Sequence, residues 1–192
     1  MRLLISIGFI LISTFCFGQV KKMERETRAK KSEVPEKAIA FIESISPDIS
    51  PKWFWEGIMF PTSYEAKFKF NKAKYSVEFD TLGNLEDVEI LAVYEDLPLV
   101  VRNEVDESLL EIYEKSKITR VQRQWSGKEN DIITAINNNF SFASTQLTVR
   151  YEIELKLKQE GRWRLEEWTV DANGKIISQV IVVTPRTDHL EY

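Results

Sequence analysis

The apolar residues of this 192-residue chain follow two periods, and each period occurs twice. In 33–45 and 96–112 they recur at helical spacing, and Pro35 and Pro98 suit the first turn of a helix. Strict alternation of apolar and polar residues, typical of strands with one buried face, follows each segment. The pattern predicts an α+β fold, a tandem repeat of a helix followed by an antiparallel hairpin or meander, with the helices packed on the sheet. The first strands of the two halves are predicted over 52–60 and 117–125.

Opposed residues of an antiparallel hairpin have numbers with a constant sum, so the pairing can be predicted. In the first half, a sum of 145 places Phe68 opposite Val77 and Lys67 opposite Glu78, which makes both faces chemically reasonable. The turn is then the four residues 71–74.

The second hairpin does not fit one sum. A sum of 320 pairs Leu157 with Trp163, but beyond Glu166 and Glu167 the apolar phase slips and a sum of 321 fits better. A β-bulge inserts one residue into a strand and produces such a slip. The sequence therefore predicts a bulge at Glu166-Glu167.

Each half ends in a second turn, "DTLGNL" (80–85) and "DANGKI" (171–176). A glycine at 83 or 174 can adopt positive φ, and the preceding aspartate can accept backbone N–H bonds. A calcium loop of the EF-hand type would need further alternating carboxylates and a distal glutamate, which both segments lack. We interpret them as structural turns.

Residues 1–18 have the order of a secretory signal peptide: Arg2, an apolar run over 3–12, then small and polar residues. A membrane anchor and a lipoprotein acylated at Cys16 are the alternatives. The apolar run is shorter than a membrane span requires, and Phe15 stands where a lipobox has a small residue. We therefore expect a periplasmic or secreted protein without a stable membrane anchor. It divides into a charged, flexible leader (19–32), one domain (33–184) of two repeats (33–95 and 96–184), and a tail (185–192).

The formal charge is −4, and it becomes −5 when Arg2 leaves with the signal segment. A mildly acidic protein has no electrostatic reason to bind nucleic acid. Cys16 would also be removed, and the chain has one histidine, His189 in the tail, so no thiolate or imidazole metal site, cofactor site or catalytic triad is predicted. The carboxylates of 152, 154, 166 and 167 alternate with lysines and arginines, which indicates a solvated face of mixed charge. We predict that the protein is not an enzyme.

Aromatic residues provide the candidate protein-binding surface. Trp53, Phe54 and Trp55 are consecutive, so a strand there presents an aromatic side chain on each face, one of which is open to a partner or covered by the fold. Phe140 and Phe142 lie in the insertion 126–146, which is either a recognition loop or disordered.

Two segments, "DLPLVVRNEV…IYEKSKITRVQRQ" (96–124) and "YEAKFKFNKAKYSVEFDTLGNLEDVEI" (64–90), resemble the PepSY-like, β-lactamase-inhibitor-like (BLIP-like) family of secreted bacterial proteins. The resemblance spans about residues 33–184. It implies tandem α/β repeats with helices against an antiparallel sheet whose other face binds a protein, and it transfers no catalytic residue.

We therefore expect an extracytoplasmic binding module that inhibits or escorts another envelope or secreted protein through its sheet face. The alternative is a carrier of a small apolar ligand, with a cavity between helices and sheet. An exposed sheet over a closed aromatic core favours the first hypothesis, and an open apolar pocket favours the second.

Overall fold

The computed structural model describes residues 21–23, 26–57, 62–138, 140 and 146–183. It is an α+β fold, as predicted, in which ten strands form one sheet and helices cover one face. The strands are β1 (Lys21–Met23), β2 (Glu26–Arg28), β3 (Lys52–Glu56), β4 (Ser63–Phe70), β5 (Ala73–Asp80), β6 (Leu85–Leu91), β7 (Lys115–Ser126), β8 (Thr148–Gln159), β9 (Arg162–Asp171) and β10 (Ile176–Val183). The α-helices are α1 (Glu36–Ile45), α2 (Leu99–Ile112) and α3 (Glu129–Asn137).

The sheet is an antiparallel meander from β2 to β10, and β1 adds in parallel beside β10. The two edge strands, β1 and β2, are only two residues apart in the chain, so Met23 and Glu26 lie within about 11 Å of each other. In a flat sheet, nine steps of about 4.8 Å would separate the edges by about 43 Å. The sheet is therefore strongly rolled, with a concave face inside and the helices outside.

The helix face contains two apolar clusters, one for each half of the chain. Phe41 and Ile42 of α1 pack against Phe79 and Trp53 in the first cluster, where the Phe41 and Phe79 rings meet edge to face at 5.6 Å. Val101, Val105 and Leu109 of α2 cover the second cluster, which contains the fully buried Trp168. Burial of these apolar stripes is what holds each helix on the sheet.

Helix α3 lies inside the stretch 126–146, for which a recognition loop or a disordered insertion was expected. Its buried residues, Ile132, Ala135 and Ile136, stand at helical spacing on one face. The stretch therefore contributes to the first apolar cluster beside α1. The polar residues around this short stripe hid the helix in the sequence.

The two Asp-x-x-Gly turns have the same structure. In each, the aspartate carboxylate accepts N–H bonds from residues two and four positions later: Leu82 and Asn84 donate to Asp80, and Asn173 and Lys175 donate to Asp171, at 2.8–3.0 Å. The glycines that follow have φ of 82° and 91°.

Each turn lies against the first turn of the helix of its own half. A Cβ on Gly83 would stand 2.8 Å from the Pro35 Cβ, and a Cβ on Gly174 would stand 2.7 Å from the Val100 oxygen. Glycine is therefore required for its backbone conformation and for its size.

The first predicted register is wrong by two residues. The β4–β5 pairs sum to 143, so Phe68 lies opposite Tyr75, with their rings stacked at 5.4 Å, and Glu65 lies opposite Glu78. The reason is a two-residue turn in which Asn71 and Lys72 both have positive φ, instead of the predicted four-residue turn. A shift of two keeps every side chain on its predicted face.

The predicted bulge at Glu166-Glu167 is also wrong, because β8 and β9 pair without interruption at a sum of 321. Arg164 and Glu166 occupy the helix face of β9 as an ion pair, and Trp168 Nε1 donates to Glu166 Oε2 at 2.7 Å. Trp163 lies on the other face and is 49% exposed, and Lys156 contacts its ring. The apparent slip arose because an ion pair, rather than apolar side chains, occupies these two core positions.

Strand β2 falls within the stretch 19–32, which was expected to be a solvated leader. It forms the edge of the sheet beside β3, and Ala29 after it is buried. An edge strand is held by main-chain hydrogen bonds and needs few large apolar residues.

Among the residues that the structure describes, no helix has both the length and the apolar character needed to cross a bilayer.

Candidate binding site

Polar side chains from eight neighbouring strands converge on the concave face of the sheet. They surround a cavity of about 310 Å³, here called the carboxylate basin, which residues from β2 to β9 line together because the sheet is rolled. Eight glutamates line it beside two cations and one amide: Glu26, Glu56, Glu65, Glu78, Glu89, Glu152, Glu154 and Glu167, with Lys67, Arg120 and Gln122.

Acidic residues lie opposite one another on this face. Glu65 faces Glu78 across β4 and β5, and Glu154 faces Glu167 across β8 and β9. Two carboxyl groups directly opposite each other destabilise a sheet when both are ionised, and a proton or a cation is needed to relieve the repulsion. The basin is therefore arranged against the stability of its own sheet, as is common where side chains are held for binding.

One cluster in the basin joins β2 and β4. Lys67 Nζ lies 3.0 Å from Glu65 Oε2 and also contacts Glu26, while Ser76 Oγ donates to Glu65. Burial raises the pKa of Glu65 to about 7, and the hydrogen bond with Glu26 adds to this. Burial also opposes ionisation of Glu26, but hydrogen bonds from Glu65 and Lys67 outweigh it and lower its pKa. Below about pH 7 the pair therefore holds one proton on Glu65, while the negative charge lies on Glu26.

A second cluster joins β5 and β6. Burial raises the pKa of Glu78 to about 9, and the neighbouring Asp87 carboxylate adds to the shift. Burial likewise raises the pKa of Glu89 to about 11, with a further contribution from Glu152. Several basin carboxyls therefore carry protons at neutral pH.

Side-chain amide groups from β7 donate hydrogen bonds to carboxyl groups of this second cluster. Gln122 Nε2 donates to Glu89, and Gln124 Nε2 donates to Asp87 Oδ2 at 3.1 Å and to Glu152 Oε1 at 2.9 Å. These side chains fix the carboxyl groups in place on the wall of the basin.

Both clusters have the donor atoms that a hard cation prefers. One oxygen from each member of the sets Glu26, Glu56, Glu65 and Glu78, Asp87, Glu89 lies within 4.8 Å of the others. In the first set, the Lys67 ammonium group already supplies a positive charge. In the second set, protons on Glu78 and Glu89 reduce the negative charge, as the ammonium group does in the first set.

No protein-family model matches the chain, and no curated relative does. Solved structures with a similar fold include two DUF2874 family proteins, from Bacteroides ovatus (13% identity, TM-score 0.49) and Bacteroides uniformis (16% identity, TM-score 0.49). Another is a BLIP-like protein from Bacteroides fragilis, with 12% identity and a TM-score of 0.46. These similarities cover 77% of this chain and 86–89% of the other chains. Similarity at this level establishes neither a family nor an activity, and the PepSY-like resemblance stays a prediction.

The three consecutive aromatics of β3 divide between the two faces, as expected. Trp53 is buried on the helix face, 6.0 Å from the Phe79 ring, and Trp55 is half-buried beside the same core. Phe54 lies on the concave face, where Lys67 Nζ is 5.2 Å from its ring centre. Of the three, only Phe54 stands beside the basin.

The other candidate aromatics are not brought to this face. Phe140 stacks on Trp125 with ring centres 3.9 Å apart and packs against the first apolar cluster. Phe142 and His189 lie outside the described residues.

The basin itself was missed in the sequence. Its signal was a carboxylate on the polar face of almost every predicted strand, but the alternating lysines concealed it. Of the carboxylates assigned to a mixed, solvated face, Glu152, Glu154 and Glu167 line the basin, whereas Glu166 is buried on the opposite face.

Proposed function

We propose that the chain is an extracytoplasmic, non-enzymatic binding module that receives a cationic segment of another protein in its carboxylate basin. The observation that carries this is the convergence of eight glutamates and only two cations around one cavity on the concave sheet face. Export to the periplasm or the medium is part of the proposal and rests on the signal-peptide pattern of residues 1–18.

A lysine or arginine side chain suits this cavity. Glu56, Glu152, Glu154 and Glu167 are half-buried, so they are reachable from solvent and partly shielded from it. Carboxylate bonds to a guanidinium group are stronger in such a setting than on an open surface. Phe54 beside the basin adds an aromatic face that a cation can approach.

The geometry favours binding over catalysis. Glycoside hydrolases use a carboxylic acid and an ionised carboxylate, and Glu65 and Glu26 form such a pair. That reaction, however, needs about 5 Å or more between the two carboxyl groups to accommodate the sugar or a water molecule. Glu65 and Glu26 instead share a hydrogen bond and both contact Lys67. The two carboxyl groups therefore bind each other instead of standing on either side of a substrate.

We also propose that the two halves are an internal repeat. The matching turns at Gly83 and Gly174, each packed against the start of the helix of its own half, support this. So does the order of elements, one helix followed by four strands in each half, with α3 inserted in the second.

The carrier hypothesis is the second candidate. A cavity of about 390 Å³ lies between α1 and strands β2 and β3, next to Ile39, Ile42 and Trp53. Its lining also contains four charged residues, so a purely apolar ligand fits it less well. These are Arg28, Lys30, Lys31 and Glu43.

The proposal is tested with two labelled peptides, deca-arginine and deca-glutamate, by fluorescence anisotropy at low and high salt. The basin variant E56Q/E152Q/E154Q is compared with E104Q/E107Q/E111Q, which makes the same change of charge on exposed positions of α2. We expect the basin variant to bind deca-arginine about tenfold more weakly and the control variant to change by less than about twofold. Pull-down from an envelope extract with the same variants then identifies the partner.

Equal weakening by both variants would show attraction to net charge alone and would refute the basin as the site. Tight binding of deca-glutamate would refute the cationic partner. Circular dichroism of each variant separates loss of binding from loss of the fold.

A further inference from the structure

A second cavity, of about 410 Å³, adjoins the basin on the concave face beside the β4–β5 turn, and its charge is the opposite. We call it the lysine pocket. It shares Lys67, Glu89, Arg120 and Gln122 with the basin, so the two cavities are neighbouring compartments. The charged residues of its lining are Lys52, Lys67, Lys69, Lys74, Arg120 and Glu89.

Two of these cations pair with glutamates. Lys67 pairs with Glu65, and Arg120 Nη1 lies 3.1 Å from Glu154 Oε1. Within the described part of the chain, Lys52, Lys69 and Lys74 make no ion pair.

The register places these lysines against one another. Lys69 lies directly opposite Lys74, and Lys52 lies opposite Lys67. Repulsion between like charges in cross-strand pairs would be relieved by a bound anion.

Glu89, the one carboxyl group in the lining, does not offset these charges. It is only 4% exposed and accepts a hydrogen bond from Gln122. Burial and the neighbouring acidic groups raise its pKa to about 11, so it is uncharged at neutral pH. The pocket therefore presents net positive charge.

The uncharged part of the lining combines polar residues, Ser50, Ser76 and Gln122, with apolar surface. Leu91 on β6 lines the pocket and is 50% exposed, whereas the rings of Phe68 and Tyr75, which also border it, are buried in the first apolar cluster on the helix face. The methylene stems of lysines add apolar surface while their ammonium groups stay solvated. The volume lies within the range of about 300–1,000 Å³ that is usual for small-molecule sites.

We propose that the lysine pocket binds an amphipathic organic anion, a carboxylate attached to an aliphatic chain. The carboxylate lies among Lys52, Lys69 and Lys74, and the aliphatic chain lies along Leu91 and the lysine stems. This site is separate from the cationic partner proposed for the basin and does not depend on it.

The test is isothermal titration calorimetry of the purified protein with sodium decanoate at neutral pH, with decanol and inorganic phosphate as comparison ligands. The variant K52Q/K69Q/K74Q is compared with K115Q/K117Q/K175Q, in which three lysines outside the pocket lose the same charge. We expect saturable decanoate binding that is about tenfold weaker in the pocket variant and within about twofold in the control. The variant L91S should also weaken decanoate, because it removes the apolar contact.

Three results would overturn the proposal. Decanol binding as tightly as decanoate would show that the lysines do not contribute, and phosphate binding as tightly would show that the aliphatic chain does not. Equal loss in the pocket and control variants would show a general effect of charge.

Retention of decanoate binding by E56Q/E152Q/E154Q is expected whether or not the basin proposal holds, which keeps the two proposals distinguishable.

Discussion

The same strands form both faces of this sheet, but the two faces bury opposite kinds of side chain. On the helix face, Ile153, Trp168 and Val77 are completely buried among apolar neighbours. On the concave face, Glu65 and Glu89 are almost as deeply buried, at 5% and 4% exposure, among other carboxyl groups. Burial of apolar surface stabilises the first face, whereas burial of ionisable groups costs free energy on the second.

This difference separates residues that stabilise the fold, on the helix face, from residues kept for another purpose, on the concave face. Apolar residues of similar volume would stabilise the concave face more than paired carboxyl groups do. A face that keeps so many acidic groups together is better explained by binding than by a contribution to stability. The predictions below test that division, starting with the largest expected effect.

The clearest test uses the two tryptophans of β9, which lie on opposite faces. Trp168 is fully buried, so Trp168→Ala should cost about 3–5 kcal/mol of unfolding free energy through lost burial and the cavity that remains. Trp163 is 49% exposed on the concave face, and Trp163→Ala should cost less than about 1 kcal/mol. Urea denaturation measures both. Similar costs for the two variants would contradict the division between the faces.

The next comparison uses one ion pair on each face. Glu166 is buried beside Arg164, and Glu166→Ala should cost about 3 kcal/mol because it removes both the ion-pair partner of Arg164 and the acceptor for the fully buried Trp168 N–H. Glu154 pairs with Arg120 where the side chains are 35% and 40% exposed, and Glu154→Ala should change stability by less than about 1 kcal/mol. Denaturation curves in which Glu154→Ala costs as much as Glu166→Ala would show that the concave face also depends on its ion pairs.

The same strand shows how far the sequence could be read. Helices, strands and the faces of β4 and β5 follow from apolar periodicity, because burial on one side imposes it. The register of β9 does not, since Arg164 and Glu166 occupy core positions that a hydrophobic pattern assigns to Trp163 and Leu165. The pattern of apolar and polar residues cannot show that two charged residues pair with each other in core positions.

The candidate site was harder to predict for a different reason. Alternation along each strand shows that Glu65, Glu78 and Glu152 lie on a polar face, but not that the face is concave. The curvature follows from the closeness in the chain of the two edge strands, β1 and β2, and is a property of all ten strands together. The same local pattern on a flat sheet would be an ordinary solvated surface.

The turn glycines test whether the helix face depends on how closely the helices approach it. Gly174→Ala should cost about 2 kcal/mol, because φ is 91° and the new Cβ would meet the Val100 oxygen at 2.7 Å. Gly161 is the control: its φ is 75°, but no atom of the described residues lies within 4 Å of an added Cβ, so Gly161→Ala should cost only the backbone strain, about 1 kcal/mol. Thermal denaturation measures the difference. Equal costs would mean that the contact with α2 contributes nothing beyond backbone strain.

The smallest expected effect is a dependence on pH that belongs to the concave face alone. The pKa of Glu78 is raised to about 9 by burial and by the neighbouring Asp87, Glu56, Glu65 and Glu152. A raised folded-state pKa means that its stabilising contribution is complete below the ordinary value near 4.5 and is lost as the pH rises towards 9.

The melting temperature of the wild-type protein should therefore fall by a few degrees between pH 5 and pH 8. In Glu78→Gln the decline should be smaller, because the amide resembles the protonated acid at every pH and the folded state no longer needs to take up a proton there. Glu104→Gln, on an exposed position of α2, is the matched control and should keep the wild-type slope. If Glu78→Gln kept that slope as well, Glu78 would be ionised in the folded protein, and the basin would carry more negative charge at neutral pH than the arrangement of its carboxyl groups implies.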